Sequence, residues 1–154
     1  MKYVNLVEQV LSESITLDFE EQDVPKIKAY IEKALEESKN AKEFQQKLDK
    51  LSLYSADDMK EFVGGKVRGA VDWGGLRQDL SEAGTQWLLM DVPVKLLKVQ
   101  DADIVKTEPK SKDTDPIVVV KDYNVIDGRH RVLQHKKKTI RAFVPSDIYY
   151  ELNK

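Results

Sequence analysis

The stretch that decides the fold is Pro116–Pro145, PIVVVKDYNVIDGRHRVLQHKKKTIRAFVP. Three short aliphatic runs in it, PIVVV, YNVI and IRAFV, are bounded by polar or turn residues, which is typical of β-strands. Gly128 separates the second run from a basic segment, and we predict that a helix begins there within Arg129–Arg131. The stretch therefore predicts a strand, a tight turn, a second strand, a glycine, a short helix and a third strand.

Upstream of this stretch, the period of the apolar residues changes near Gln86. The runs WLLM and VPVKLL predict two more strands. The charged segment between VPVKLL and PIVVV, QDADIVKTEPKSKDTD, predicts a solvated loop. A short helix, LRQDLSEA, is expected to end at Gly84, and the glycine-rich residues 64–75 are interpreted as a loop or hinge.

The first third of the chain has the three- and four-residue spacing of amphipathic helices. Three helices are predicted from the apolar sets Leu6/Val7/Val10/Leu11, Ile27/Ile31/Ala34/Leu35 and Phe44/Leu48/Leu51. Asp23 is the expected N-cap of the second, with Pro25 in its first turn. Ser55 and Asp58 form a variant capping box that opens a fourth, short helix.

These patterns together predict an α+β fold. A small mixed β-sheet formed by residues 86–145 would carry the N-terminal helices packed on or beside it. We divide the chain into a helical region, residues 1–84, and a second domain, residues 85–154.

The amino-acid composition excludes several classes of function. The net charge of −2 excludes a uniformly basic nucleic-acid coat, although residues 121–154 carry 8 basic and 4 acidic side chains. The absence of cysteine excludes thiolate nucleophiles, zinc thiolate sites and disulfides. No apolar run approaches the roughly 18 residues needed to cross a bilayer, so we expect a cytoplasmic protein without membrane contact.

The turn after the second strand of the deciding stretch has the chemistry of an anion site. A helix N-terminus directs backbone N–H groups and a positive dipole end toward its surroundings. Arg129 and Arg131 add fixed positive charge, and Gly128 allows a ligand to approach the backbone closely. This combination predicts binding of phosphate.

The chain contains two motifs, VPVKLL at Val92–Leu97 and IDGRHRV at Ile126–Val132. One aliphatic strand is predicted before the second motif and another after it. In this respect the chain resembles the ParB/sulfiredoxin-like superfamily over roughly residues 88–150. The resemblance implies a small α+β domain in which a Gly-x-x-Arg turn holds nucleotide phosphates. Activities in that superfamily include CTP binding and hydrolysis, ATP-dependent phosphoryl transfer and nuclease action.

The resemblance also implies roles for individual residues. Gly128, Arg129, His130 and Arg131 would bind the nucleotide, and His130 and Asp127 are the candidates for catalysis. A packed, hydrogen-bonded histidine is an equal interpretation of His130. Apart from the resemblance, Asp101 and Asp103 lie just beyond the first motif strand and are candidates for holding Mg²⁺ or for acting as a base in phosphoryl transfer. Loop solubility is the ordinary interpretation of the two carboxylates.

The chain also departs from the superfamily's pattern. Arg129 stands where sulfiredoxins carry their cysteine, which excludes sulfinic-acid reduction. No helix-turn-helix follows the motif, so we do not expect site-specific centromere binding.

The leading hypothesis is therefore a protein that binds a nucleoside triphosphate, ATP or CTP, together with Mg²⁺, and acts as an NTPase or a phosphotransferase. A second hypothesis is a non-catalytic interaction module that meets a protein partner through its N-terminal helices. A third is a ParB-like nuclease or DNA-associated protein, for which Lys136–Lys138 would supply a basic patch. The sequence leaves host, plasmid and phage origins open.

Overall fold

The computed structural model describes residues 18–64, 73–84, 86–107 and 114–154. Amphipathic helices form most of the first of these ranges. The helix predicted around Leu6–Leu11 lies outside those ranges. Helix α1, Pro25–Glu37, buries Ile27, Ile31 and Ala34, as its spacing predicts. Helix α2, Ala41–Leu48, buries Phe44 and Leu48 and begins at Asn40, whose side chain accepts a hydrogen bond from the Glu43 N–H at 2.9 Å.

The N-cap predicted for α1 is wrong by one residue. Val24 occupies that position, with Pro25 as the first helical residue. Asp23 instead ends a 3₁₀ turn, Phe19–Asp23. Its carboxylate forms an ion pair with Arg141, which is 118 residues further along the chain. Proline already fixes the backbone at the first helical position, so this helix begins without a capping side chain.

Helices α3, Ala56–Gly64, and α4, Trp73–Ala83, flank the glycine-rich stretch. The predicted capping box is confirmed, because the Asp58 N–H donates to Ser55 Oγ at 3.1 Å and the Ser55 N–H donates to Asp58 Oδ2 at 2.9 Å. Residues 65–72 of the predicted hinge lie outside the described ranges, but residues 73–75 belong to α4. Burial of Leu80 and Ala83 outweighs the low helix propensity of glycine, which costs about 1 kcal/mol per residue.

Four strands form the mixed sheet that the sequence predicts. They are β1, Trp87–Pro93, β2, Ile117–Val119, β3, Val125–Asp127, and β4, Thr139–Pro145. Their order is β1-β4-β2-β3, in which β4 runs antiparallel to β1 and parallel to β2, and β2 and β3 form an antiparallel pair. The α+β fold class is therefore confirmed.

The two strands predicted from WLLM and VPVKLL are one. Strand β1 covers WLLM and the first two residues of VPVKLL and ends at Pro93, and Val94–Leu96 turns away as a 3₁₀ turn. Proline has no N–H to donate to a ladder, so it is suited to the last position of a strand. The Val94 N–H then donates to the carbonyl of Lys138 at 2.9 Å, which ties the turn to the segment before β4.

The predicted solvated loop after β1 contains a helix, α5, Ala102–Thr107. Its Val105 side chain is buried, whereas the apolar side chain of Ile104 is 63% exposed, and the helix packs against α6, Arg129–Gln134. A single apolar anchor gives no periodic signal in sequence, which explains the error. A final helix that the sequence analysis did not predict, α7, Ser146–Asn153, buries Ile148.

Both faces of the sheet carry helices. On one face, Ala142 and Val144 of β4 pack in a cluster with Val132 of α6 and Ile148 of α7. On the other face, Phe143 of β4 belongs to a cluster that includes the buried side chains of α3 and α4. None of the helices in the described ranges is long and apolar enough to cross a membrane.

The outer edge of β1 is covered by main-chain and side-chain hydrogen bonds. The Trp87 N–H donates to the carbonyl of Tyr54 at 2.8 Å. The buried Gln22 side chain accepts from the Leu89 N–H at 3.0 Å and donates to the Trp87 carbonyl at 3.4 Å. The 3₁₀ turn that contains Gln22 is thereby fixed on the sheet, directly before Asp23.

Candidate functional site: a basic cleft beside the Gly128 turn

The predicted turn lies where β3 ends at Asp127 and α6 begins at Arg129. Between them Gly128 adopts φ 92° and ψ 23°, in the left-handed region that favours glycine. A Cβ at this position would overlap Cγ2 of Ile117 and lie 2.9 Å from Nη2 of Arg131. Glycine is therefore required here by the backbone conformation and also by the packing around it.

Arg131 is buried and holds three segments together. Its Nη2 lies 3.2 Å from Oδ2 of Asp127, and its Nη1 donates to the carbonyl of Asp115. The side chains of Arg131 and Asp127 are 8% and 14% exposed, respectively. The pair thus connects α6 to the end of β3 and to the segment that enters β2.

Arg131 also lines a cleft of about 390 Å³, which lies within the usual size range of ligand pockets. Its lining residues are Thr114, Asp115, Arg131, Gln134, His135, Lys136, Ile140 and Arg141. Three of these residues, one lysine and two arginines, carry fixed positive charge, and one is an aspartate. The ring of His135 is positioned by a 2.7 Å contact between its Nε2 and the carbonyl of Thr139.

The second arginine of the cleft, Arg141, lies in β4 and forms an ion pair with Asp23. It also lines a smaller cavity of about 180 Å³ on the α1 side, together with Lys28, Glu32 and Tyr149. Burial raises the pKa of Tyr149, and the Glu32 carboxylate raises it further, so this phenol stays protonated at neutral pH. Arg141 is thus common to the two cavities.

The predicted nucleotide-binding and catalytic residues occupy different environments. Asp127, Gly128 and Arg131 meet in one bonded turn, as described above. Arg129 and His130 occupy the first turn of α6, where both are partly exposed. Of the predicted set, Arg131 is the residue that reaches the cleft, so the contribution of Arg129 and His130 to a phosphate site stays a prediction.

The predicted metal ligands lie next to α6 through α5. Asp101 precedes α5 with φ 55°, Asp103 lies in its first turn, and both are exposed. Over the described ranges, no group of three or more histidine and carboxylate side chains is placed to hold a metal ion. The assignment of Mg²⁺ to this pair stays a prediction.

The sequence analysis missed Arg141 and Lys136 as cleft residues. Arg141 had a local signal, because it interrupts the aliphatic run IRAFV with a charge. Lys136 was considered only with its neighbours as a nucleic-acid patch, although it lines the cleft and Lys137 does not appear there. Neither residue belongs to the motif that drew attention to Gly128.

Comparison of the chain with protein-family models, curated proteins and solved structures gives no match. The fold and site define an α+β protein whose four-stranded mixed sheet carries a basic cleft beside a glycine turn. The resemblance to the ParB/sulfiredoxin-like superfamily stays a prediction.

Proposed function

We propose that the protein binds a nucleoside triphosphate, with the phosphate groups in the basic cleft beside the Gly128 turn. The observation that carries this proposal is the convergence of Arg131, Lys136 and Arg141 on one cleft of about 390 Å³, where Asp115 is the single lining carboxylate among the described residues. Converging cations favour a ligand with several negative charges, and triphosphate has that chemistry.

The cations of the cleft have different roles in this proposal. Arg131 is already bonded to Asp127 and Asp115, so it contributes a fixed positive charge and maintains the shape of the turn. Lys136 is exposed and contributes a mobile point charge, while the planar guanidinium of Arg141 suits two parallel hydrogen bonds to one phosphate. Ile140 and Gln134 offer apolar and amide contacts for the rest of the ligand.

Phosphate chemistry beyond binding is the second part of the proposal. His130, in the first turn of α6, is the candidate proton donor or acceptor, and Asp127 is the carboxylate that directly precedes Gly128. Mg²⁺ bound at Asp101 and Asp103 would neutralise charge on the triphosphate. An NTPase would release phosphate in this arrangement, whereas a phosphotransferase would pass it to an acceptor.

The test is thermal unfolding with ATP, CTP, GTP and ADP, each with and without Mg²⁺ at low salt. A ligand that binds only the folded state stabilises it by about 2.7 kcal/mol at 100 times its Kd. We expect Lys136→Ala to reduce the shift and Lys137→Ala, its matched control in the same exposed segment, to retain it. Phosphate release measured on the same samples tests the catalytic part.

Two outcomes would contradict the proposal. The absence of a shift with every nucleotide would reject nucleotide binding and favour the interaction module. An equal loss in Lys136→Ala and Lys137→Ala would indicate diffuse attraction instead of a defined cleft. A duplex DNA sample in the same series tests the third hypothesis, which requires a binding constant that falls steeply with salt.

A further inference from the structure

Arg141 is positioned between two kinds of partner. On one side its Nη2 donates to Oδ1 of Asp23, and on the other its side chain lines the basic cleft. A guanidinium that turns toward a phosphate in the cleft leaves its carboxylate partner. The strength of the Asp23–Arg141 pair therefore bears on the affinity of the cleft for an anion.

The surroundings of Asp23 keep the free-energy cost of this exchange of partners small. The side chains of Arg141 and Asp23 are 37% and 46% exposed, and ion pairs this exposed contribute little to stability. Lys28 has its Nζ 3.7 Å from the same Oδ1 of Asp23. Asp23 thus keeps one cation in reach when Arg141 turns away.

Asp23 itself is held in a fixed place. The preceding residue, Gln22, is buried and bonds through its side-chain amide to Leu89 and Trp87 of β1. The 3₁₀ turn therefore presents the Asp23 carboxylate from a defined position at the edge of the sheet. A carboxylate so placed is an intramolecular alternative to an anionic ligand.

We infer that Asp23 and a phosphate-bearing ligand in the cleft compete for Arg141, so that Asp23 lowers the affinity of the site and Arg141 is its specificity-determining cation. This inference rests on the proposed function. Bidentate bonds to phosphate are stronger than an exposed pair with a carboxylate, so a phosphate-bearing ligand wins the competition. Ligands without phosphate, such as monocarboxylates, would leave Arg141 with Asp23.

The experiment is calorimetric titration with ATP and with inorganic tripolyphosphate at low salt. We expect Asp23→Asn to tighten binding about two- to fivefold, the range that corresponds to loss of one exposed ion pair. Arg141→Gln should weaken binding by about tenfold or more, because a charged hydrogen-bond donor is lost. In the Arg141→Gln background, Asp23→Asn should change the Kd by less than about 1.5-fold.

A matched control separates competition from long-range charge effects. Glu20→Gln removes one negative charge from the same 3₁₀ turn at an exposed position that is not paired with Arg141, and we expect an unchanged Kd. An equal gain in Glu20→Gln, or a gain of Asp23→Asn that persists with Arg141→Gln, would overturn the competition.

The two proposals fail in distinguishable ways. Binding by the wild type with an unchanged Kd in Asp23→Asn would overturn the competition alone and leave the nucleotide site in place. An absence of binding in the wild type and in Asp23→Asn, for ATP and for tripolyphosphate, would overturn both. Circular dichroism of each variant checks that the fold is retained.

Discussion

Two arginine–aspartate pairs border the same cleft, and they differ in almost every physical respect. Arg131 and Asp127 are four residues apart and nearly buried, and Arg131 also bonds the carbonyl of Asp115. Arg141 and Asp23 are separated by 118 residues and are about 40% exposed, with Lys28 as a second cation in reach. The residue types are the same in both pairs, but the solvent around them is not.

This difference assigns the two pairs different roles. A charge taken out of water is costly unless its partner stays in place, so the buried pair is fixed and maintains the turn. An exposed pair gains little from its contact, so its members exchange partners readily. The cleft therefore combines one rigid cation with one exchangeable cation, and the following predictions test that division.

The largest effect is expected from breaking the buried pair. Asp127→Ala leaves the Arg131 guanidinium without its carboxylate, and we expect about 3–5 kcal/mol of lost unfolding free energy, measured by urea denaturation. The double variant Asp127→Ala/Arg131→Met should recover part of that loss, because it also removes the buried positive charge that Asp127 balances in the wild type. A loss below about 1 kcal/mol in Asp127→Ala would place this pair in the same class as the exposed one.

The next effect concerns the glycine that allows the buried pair to form. Gly128→Ala should cost about 2–4 kcal/mol, because alanine is strained at φ 92° and its Cβ would overlap Ile117. Gly84→Ala is the matched control, since among the described residues a Cβ there meets only Pro145, at an ordinary 3.4 Å. Thermal unfolding should show a clear loss for the first variant and little change for the second. Equal effects would contradict the geometry of the turn.

A smaller effect is expected at the base of the exposed pair. Gln22→Ala leaves the Leu89 N–H and the Trp87 carbonyl without the amide that bonds them, which costs about 1–3 kcal/mol. Gln46→Ala, at an exposed position of α2, should be close to neutral. Hydrogen exchange of the Leu89 amide should also speed up in Gln22→Ala. Unchanged exchange would show that the turn is not held by this side chain.

The smallest effect is expected from the exposed pair itself. Asp23→Asn should reduce the unfolding free energy by less than about 1 kcal/mol, and the difference should shrink as salt is added. Glu37→Gln removes the carboxylate of the exposed Lys33–Glu37 pair in α1, and we expect a loss of unfolding free energy of similar size. A loss near 3 kcal/mol in Asp23→Asn would mean that this pair is structural and would contradict its role as an exchangeable contact.

Elements that have a short-range sequence pattern were predicted correctly. The spacing of Ile27, Ile31 and Ala34 and the capping box at Ser55 are short-range patterns, and both are confirmed. Helix α5 was missed because its single buried side chain, Val105, gives no period, and α7 was not predicted. The predicted break between WLLM and VPVKLL fell too early, since ladder pairing with β4 continues to Pro93.

The candidate site divides in the same way. The turn at Gly128 was predicted because glycine, arginine and a helix start lie within a few residues of one another. The orientation of Arg131 was not predicted, since its partner Asp115 lies 16 residues away on another segment. The Asp23–Arg141 pair could not be predicted, because the two residues are 118 positions apart and the sequence around neither residue indicates contact with the other.

The sequence by itself determined the α+β class, the principal amphipathic helices of the described N-terminal part and the glycine turn, because periodicity and turn chemistry depend on neighbouring residues. Only the tertiary structure decided which arginine is buried, which is exposed, and that both border one cleft. Those properties depend on which distant segments exclude water from each guanidinium. Desolvation is a property of the packed molecule, and it gives two identical side chains different roles.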